Sequence, residues 1–106
     1  MEPQYSGWMK SSHRDVAGCN DCHTPHDVVG KYMTKASNGF WHSFYFTTGN
    51  YPDNIQARPI SRTVTENACR HCHSDITEAI AGPHFTSAPA ESVSCIKCHR
   101  EVGHPR

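Results

Sequence analysis

The chain has 106 residues, of which 36% are apolar, with 7 Gly and 7 Pro, and its mean hydropathy is −0.67. That length supports one small domain spanning residues 1–106, and a core made from its side chains alone would be thin. Ten Lys and Arg balance ten Asp and Glu, which excludes both the basic field of a nonspecific nucleic-acid binder and the acidic excess of a disordered tail.

Residues 1–12, with Tyr5 and Trp8 as apolar anchors, read as one or two helical turns leading to His13. From Asp27 to Ala36 the apolar residues Val28, Val29, Tyr32, Met33 and Ala36 recur at helical spacing, Lys31 and Lys35 share another face, and Gly39 offers a stop. Phe40, Trp41, Phe44, Tyr45 and Phe46 form the densest aromatic cluster, which suits a short helix or a strand, and helix is favoured. Residues 49–59, rich in Gly, Asn and Pro, predict a loop. Thr63 and Glu66 have the spacing of a capping box, so a helix is expected from Thr63 into Cys69, with a continuation over 74–81 and a second loop at Ala88, Pro89 and Ala90. The predicted fold class is mainly α with extensive irregular loops. No stretch approaches the ~18 apolar residues of a membrane span, and the start lacks the basic and apolar regions of a secretory signal.

All six cysteines fall into three C-x-x-C-H motifs: Cys19, Cys22 and His23; Cys69, Cys72 and His73; Cys95, Cys98 and His99. Two thiols at this spacing can form thioethers with the two vinyl groups of one haem, and the adjacent histidine then serves as the proximal iron ligand. Three haems c would act as a core that the side chains do not supply, giving a multihaem cytochrome c fold organised around its cofactors. Structural zinc pairs C-x-x-C units two by two and leaves one over unless histidines complete a site. Disulfides within C-x-x-C close loops too small to restrain much of the unfolded chain, and a thioredoxin-type pair would sit beside a βαβ pattern that is absent here.

Six further histidines, His13, His26, His42, His71, His84 and His104, could supply second axial ligands. His71 lies inside a motif, and His26 is too close to its own haem edge to reach the far face. His13, His42, His84 and His104 remain. Bis-histidine ligation would suit electron transfer because it leaves no coordination position open.

The ordered segments MEPQYSGWMKSSH, CNDCHTP, KYMTKASNGFWHS, TENACRHCH and CIKCHREVGH resemble the NapC/NirT family of tetrahaem quinol dehydrogenases, and within it the small subunits of cytochrome c nitrite reductase. The resemblance covers essentially the whole chain. It implies a subunit on the periplasmic side of the bacterial cytoplasmic membrane that takes electrons from menaquinol and passes them to a periplasmic reductase, foremost the pentahaem catalytic subunit of nitrite reductase. A quinol dehydrogenase serving another reductase, a soluble trihaem shuttle and a zinc-binding module are the alternatives. Family members begin with a membrane anchor and a first motif of the form C-x-x-C-H-x-M. Met1 stands where that methionine would be, so an upstream anchor and a fourth haem are expected, with Met1 as a ligand of that iron.

The resemblance also implies that His104 is the distal ligand of the haem on Cys69 and Cys72, and His13 that of the haem on Cys95 and Cys98. The haem on Cys19 and Cys22 would then be the exit haem, completed by a partner's lysine. Lys31 matches the lysine of the family's quinol site, whereas Asn38 replaces the acid, and an amide cannot accept a proton as a carboxylate does.

Overall fold

The computed structural model describes residues 2–53, 56–80 and 93–105. Among these the fold consists of six helices: α1 (Glu2–Met9), α2 (Cys19–His23), α3 (Val28–Thr48), α4 (Pro59–Cys72), α5 (Ser74–Ile80) and α6 (Cys95–Cys98). The chain is elongated, 50 × 29 × 27 Å. Helix α4 is its hub, because α2, α5 and α6 all pack on it. The expectation of a mainly α chain with irregular connections agrees with this architecture.

Helix α3 starts where Asp27, in extended conformation, caps it by accepting from the Gly30 backbone N–H at 2.6 Å. It does not stop at Gly39. It runs through the aromatic cluster, which joins the preceding amphipathic stretch in one 21-residue helix. The stop comes at Gly49, whose φ of 67° is the one left-handed conformation among the described residues. A glycine inside a helix costs about 1 kcal/mol relative to alanine, and ring contacts downstream offset it: Phe40 with Phe44 at 6.2 Å and Trp41 with Tyr45 at 5.5 Å between centroids.

Helix α4 also departs from the expected start. It begins four residues before Thr63, with Arg58 extended and Pro59 at the first helical position, where a missing N–H and a fixed φ are harmless. Glu66 is thereby placed in the helix interior, and its carboxylate is free for another task. The expected turns before His13 are present as α1, and of the helix expected over 74–81 the residues Ser74–Ile80 form α5, while Ala81 lies outside the described residues. The loop at Ala88–Ala90 lies outside the described residues.

Little apolar surface is covered by polypeptide. Among the described residues Ala68, at 5% exposure, is the one buried apolar side chain, whereas Tyr32, Met33 and Phe40 are each more than 60% exposed. No described helix is long and apolar enough to cross a membrane.

Candidate haem centres

Each C-x-x-C-H motif coincides with one short helical turn. In α2 the turn is set by the Asp21 carboxylate, which accepts from the Gly18 N–H at 2.9 Å, and it ends at Thr24, whose buried hydroxyl donates to the Asn20 carbonyl at 2.8 Å. The second motif is the last turn of α4, and His73 closes it with its N–H on the Cys69 carbonyl at 2.9 Å. The third is the whole of α6, closed likewise by His99 on Cys95 at 2.8 Å. In each case the helical turn brings two thiols to one side and leaves the histidine at the helix end. Helices α2 and α6 both pack on α4, so the first and third motifs are carried against the helix that ends in the second.

None of the six cysteines is in a disulfide. Burial, followed by the charges of Cys95, Glu66 and Cys22, pushes the Cys69 thiol up to about 11. Burial likewise raises the Cys22 and Cys95 thiols. Among the described residues no three Cys, His, Asp or Glu side chains converge on a point where a metal ion could be held.

The histidines do converge, in pairs. His13 lies against His73 with ring centroids 6.1 Å apart, and His104 faces His23 at 5.9 Å with an interplanar angle of 10°. A metal–imidazole bond of ~2 Å, with roughly 1 Å from nitrogen to ring centre on either side, sums to ~6 Å for two imidazoles flanking one ion. Each pair joins a motif histidine to one from outside the motifs. The tautomer of His104 suits this use. Its Nδ1 lies 3.1 Å from the Pro105 carbonyl oxygen, which can only accept, so Nδ1 carries the proton and Nε2 keeps its lone pair for a metal. Loss of water around the His23 ring, and then the nearby His104, lower its affinity for a proton, which favours the neutral, ligating form. The donor set therefore fits iron porphyrins covalently held at the cysteines.

These contacts differ from the pairing implied by the resemblance. His104 faces His23 of the first motif and not His73 of the second; His13 faces His73 and not His99. The reason is the route of α1 and the C-terminal segment. Trp8 Nε1 donates to the Ala17 carbonyl at 2.9 Å and ties down the turn that carries His13. Gly7 lets the backbone of His104 come close, since a Cβ at that position would meet the Pro105 ring and lie 3.1 Å from His104 Cα. His99 borders an open depression lined by Cys98, Arg100, Glu101 and Val102, and no imidazole packs on it among the described residues.

The remaining candidates are elsewhere. His26 and His71 stack on each other at 4.1 Å, too close to flank an iron. His42 projects from α3, where it is exposed; Met1 and His84 lie outside the described residues. Lys31 and Asn38, both half-buried, share a face of α3 two turns apart. Asn38 Oδ1 accepts from Arg58 Nη2 at 2.8 Å. Sequence reasoning missed this bond and also the role of Glu66. The carboxylate of Glu66, on α4, accepts from the Cys95 N–H at 2.9 Å, the Ile96 N–H at 3.3 Å and the Ser94 hydroxyl. The false capping-box pattern at Thr63 concealed it.

The chain is 36% identical to the cytochrome c-type protein NrfH of Wolinella succinogenes over 98% of its own length and 63% of that protein's. It is 33% identical to the cytochrome c nitrite reductase subunit NrfH of Nitratidesulfovibrio vulgaris over 91% of its length and 56% of the relative's. The chain thus spans about three-fifths of the curated relatives it matches. A chain in the crystal structure of the cytochrome c nitrite reductase NrfHA complex bound to the HQNO inhibitor superposes with a TM-score of 0.72 at 30% identity, covering 98% of this chain and 67% of that one. The model of the NapC/NirT cytochrome c family, N-terminal region, matches residues 1–106. With its three haem-attachment motifs and paired imidazoles inside that match, this chain belongs to the NapC/NirT cytochrome c family, whose cofactor is haem c.

Proposed function

We propose that this chain is the haem-bearing part of an electron-transfer subunit. It would receive electrons from menaquinol and deliver them to the catalytic subunit of a periplasmic nitrite reductase. Three haems c are assigned, to Cys19 and Cys22, Cys69 and Cys72, and Cys95 and Cys98, with His23, His73 and His99 as proximal ligands. His104 completes the first and His13 the second. The observation that carries the reading is the three C-x-x-C-H motifs, each on a single helical turn, with His13 and His104 standing 6.1 and 5.9 Å from two of the motif histidines. Haems so ligated exchange electrons and bind no substrate.

The haem at His99, beside the open depression, is the exit in this scheme, in place of the haem at Cys19 and Cys22 expected from the resemblance. A group of the partner subunit would complete it. Donor chemistry is assigned to the face of α3 carrying Lys31, with Met1 as the ligand of a further haem and a membrane anchor on the periplasmic side as in the family. The HQNO bound to the related NrfHA complex is a pointer to a quinol site. Asn38, held by Arg58, can hydrogen-bond a quinol there but cannot take its proton.

Intact-mass measurement of chain matured in a host able to attach haem tests the assignment. Three haem increments are expected, with reduced protein reoxidised by the nitrite reductase catalytic subunit and nitrite. The bare chain mass, or zinc in place of haem, overturns it.

A further inference from the structure

Helix α6 has four residues, too few to satisfy its own backbone N–H groups or to hold its place. Glu66 does this from another helix. Its side chain is 11% exposed, and the carboxylate accepts from both Cys95 and Ile96 backbone N–H groups and from Ser94, while its own backbone lies one turn before Cys69 in α4. One side chain therefore bridges the second and third haem motifs. Arg70 Nη2 stands 4.0 Å from the same carboxylate and donates to the Val93 carbonyl at 3.0 Å, so the guanidinium braces the approach to α6.

We propose that Glu66 is a positioning residue that locks the third haem motif against the second, and that its buried negative charge lowers the reduction potentials of the haems on those two motifs. This rests on the haem reading above. An anion stabilises oxidised iron over reduced iron, the more so where water is excluded. Arg70 opposes it, but at 23% side-chain exposure against 11% for Glu66 the cation is the better screened of the two. Burial alone would drive the Glu66 carboxyl up, yet the hydrogen bonds from Ser94, Cys95 and Ile96 outweigh that and hold it below its ordinary value. The charge is therefore present at neutral pH. Once Cys95 is a thioether its sulfur can no longer donate, and the backbone bonds remain to keep the carboxylate in place.

Spectroelectrochemical titration of haem-loaded protein tests this with two substitutions of opposite expected sign. Glu66→Gln keeps the shape and one acceptor oxygen. It is expected to shift the reduced-to-oxidised ratio of two haems about tenfold toward reduced at fixed potential, or ~59 mV for a one-electron couple, leaving the haem at Cys19 and Cys22 within about twofold. Arg70→Gln is expected to shift the same two haems toward oxidised. Shifts below twofold in both variants, or shifts of one sign in both, overturn the proposal. If Glu66→Gln matures without its third haem, the charge is judged on Arg70→Gln alone, where a shift toward oxidised supports the proposal and none overturns it. Wild-type chain without any haem would instead overturn the reading underneath.

Discussion

Substituting His104 with alanine should turn one haem in three high-spin, and that haem should be the one on Cys19 and Cys22. The magnitude follows from the geometry: His104 faces a single motif histidine, His23, at 5.9 Å, so its loss opens one axial position and leaves the His13–His73 couple, at 6.1 Å, untouched. The Nδ1–H bond to Pro105 disappears with the ring, and a flanking side chain cannot replace an imidazole held in that orientation. Electron paramagnetic resonance of the oxidised protein, with carbon monoxide binding to the reduced protein, reads the fraction. His13→Ala should produce an equal fraction, and the double variant the sum. The identity of the affected haem is tested by first removing it. In a Cys19→Ala, Cys22→Ala background, adding His104→Ala should create no new high-spin signal. A new signal there would refute the pairing read from the structure and favour His73 as the partner of His104.

Three further outcomes are expected. Gly7→Ala places a methyl group against the Pro105 ring and 3.1 Å from His104 Cα; overpacking of this kind costs roughly 1–3 kcal/mol, and the displaced His104 should give part of the high-spin signal of His104→Ala together with a lower Tm. The Glu66 carboxyl, held below 4.5 in the folded protein, contributes stability that is complete above pH 4.5 and is lost as the pH falls through its lower folded value. Guanidinium unfolding of the haem-loaded protein from pH 7 to pH 3 should show a loss of stability in the acid range that Glu66→Gln lacks. Asn38→Asp provides a proton acceptor next to Arg58; if this face of α3 serves menaquinol oxidation as proposed, the rate should rise by on the order of 10²-fold, the low end of what a positioned base supplies, and an unchanged rate would remove the face from the quinol reaction.

The haem motifs were legible because their chemistry is local: two thiols and an imidazole at fixed separations need no tertiary information. The helical content was legible for a related reason, since the apolar spacing from Val28 to Phe44 repeats within a single element. Element boundaries were less so. Gly39 reads as a stop, but it reaches no left-handed conformation, and the aromatic pairs beyond it favour continuation. Thr63 and Glu66 match a capping box, whereas Pro59 starts the helix earlier and Glu66 caps a helix at Ser94 that is distant in sequence. The partners of His13 and His104 depend on how α1 crosses the C-terminal segment at Gly7, a contact between distant parts of the chain with no periodic signal. A glycine read only as a flexible residue carries no hint that it marks a close approach.

The meeting of Gly7 with His104 bears on how such a protein is made. Under the proposed pairing, the motif at Cys19 and Cys22 receives its second ligand from a segment far later in the chain, which carries His104. A haem attached at Cys19 and Cys22 before that segment is in place would lack the imidazole of His104 and be more accessible to small molecules. Maturation would then be complete only when α1 has closed on the segment bearing His104, so cofactor attachment and final ligation would be separate events.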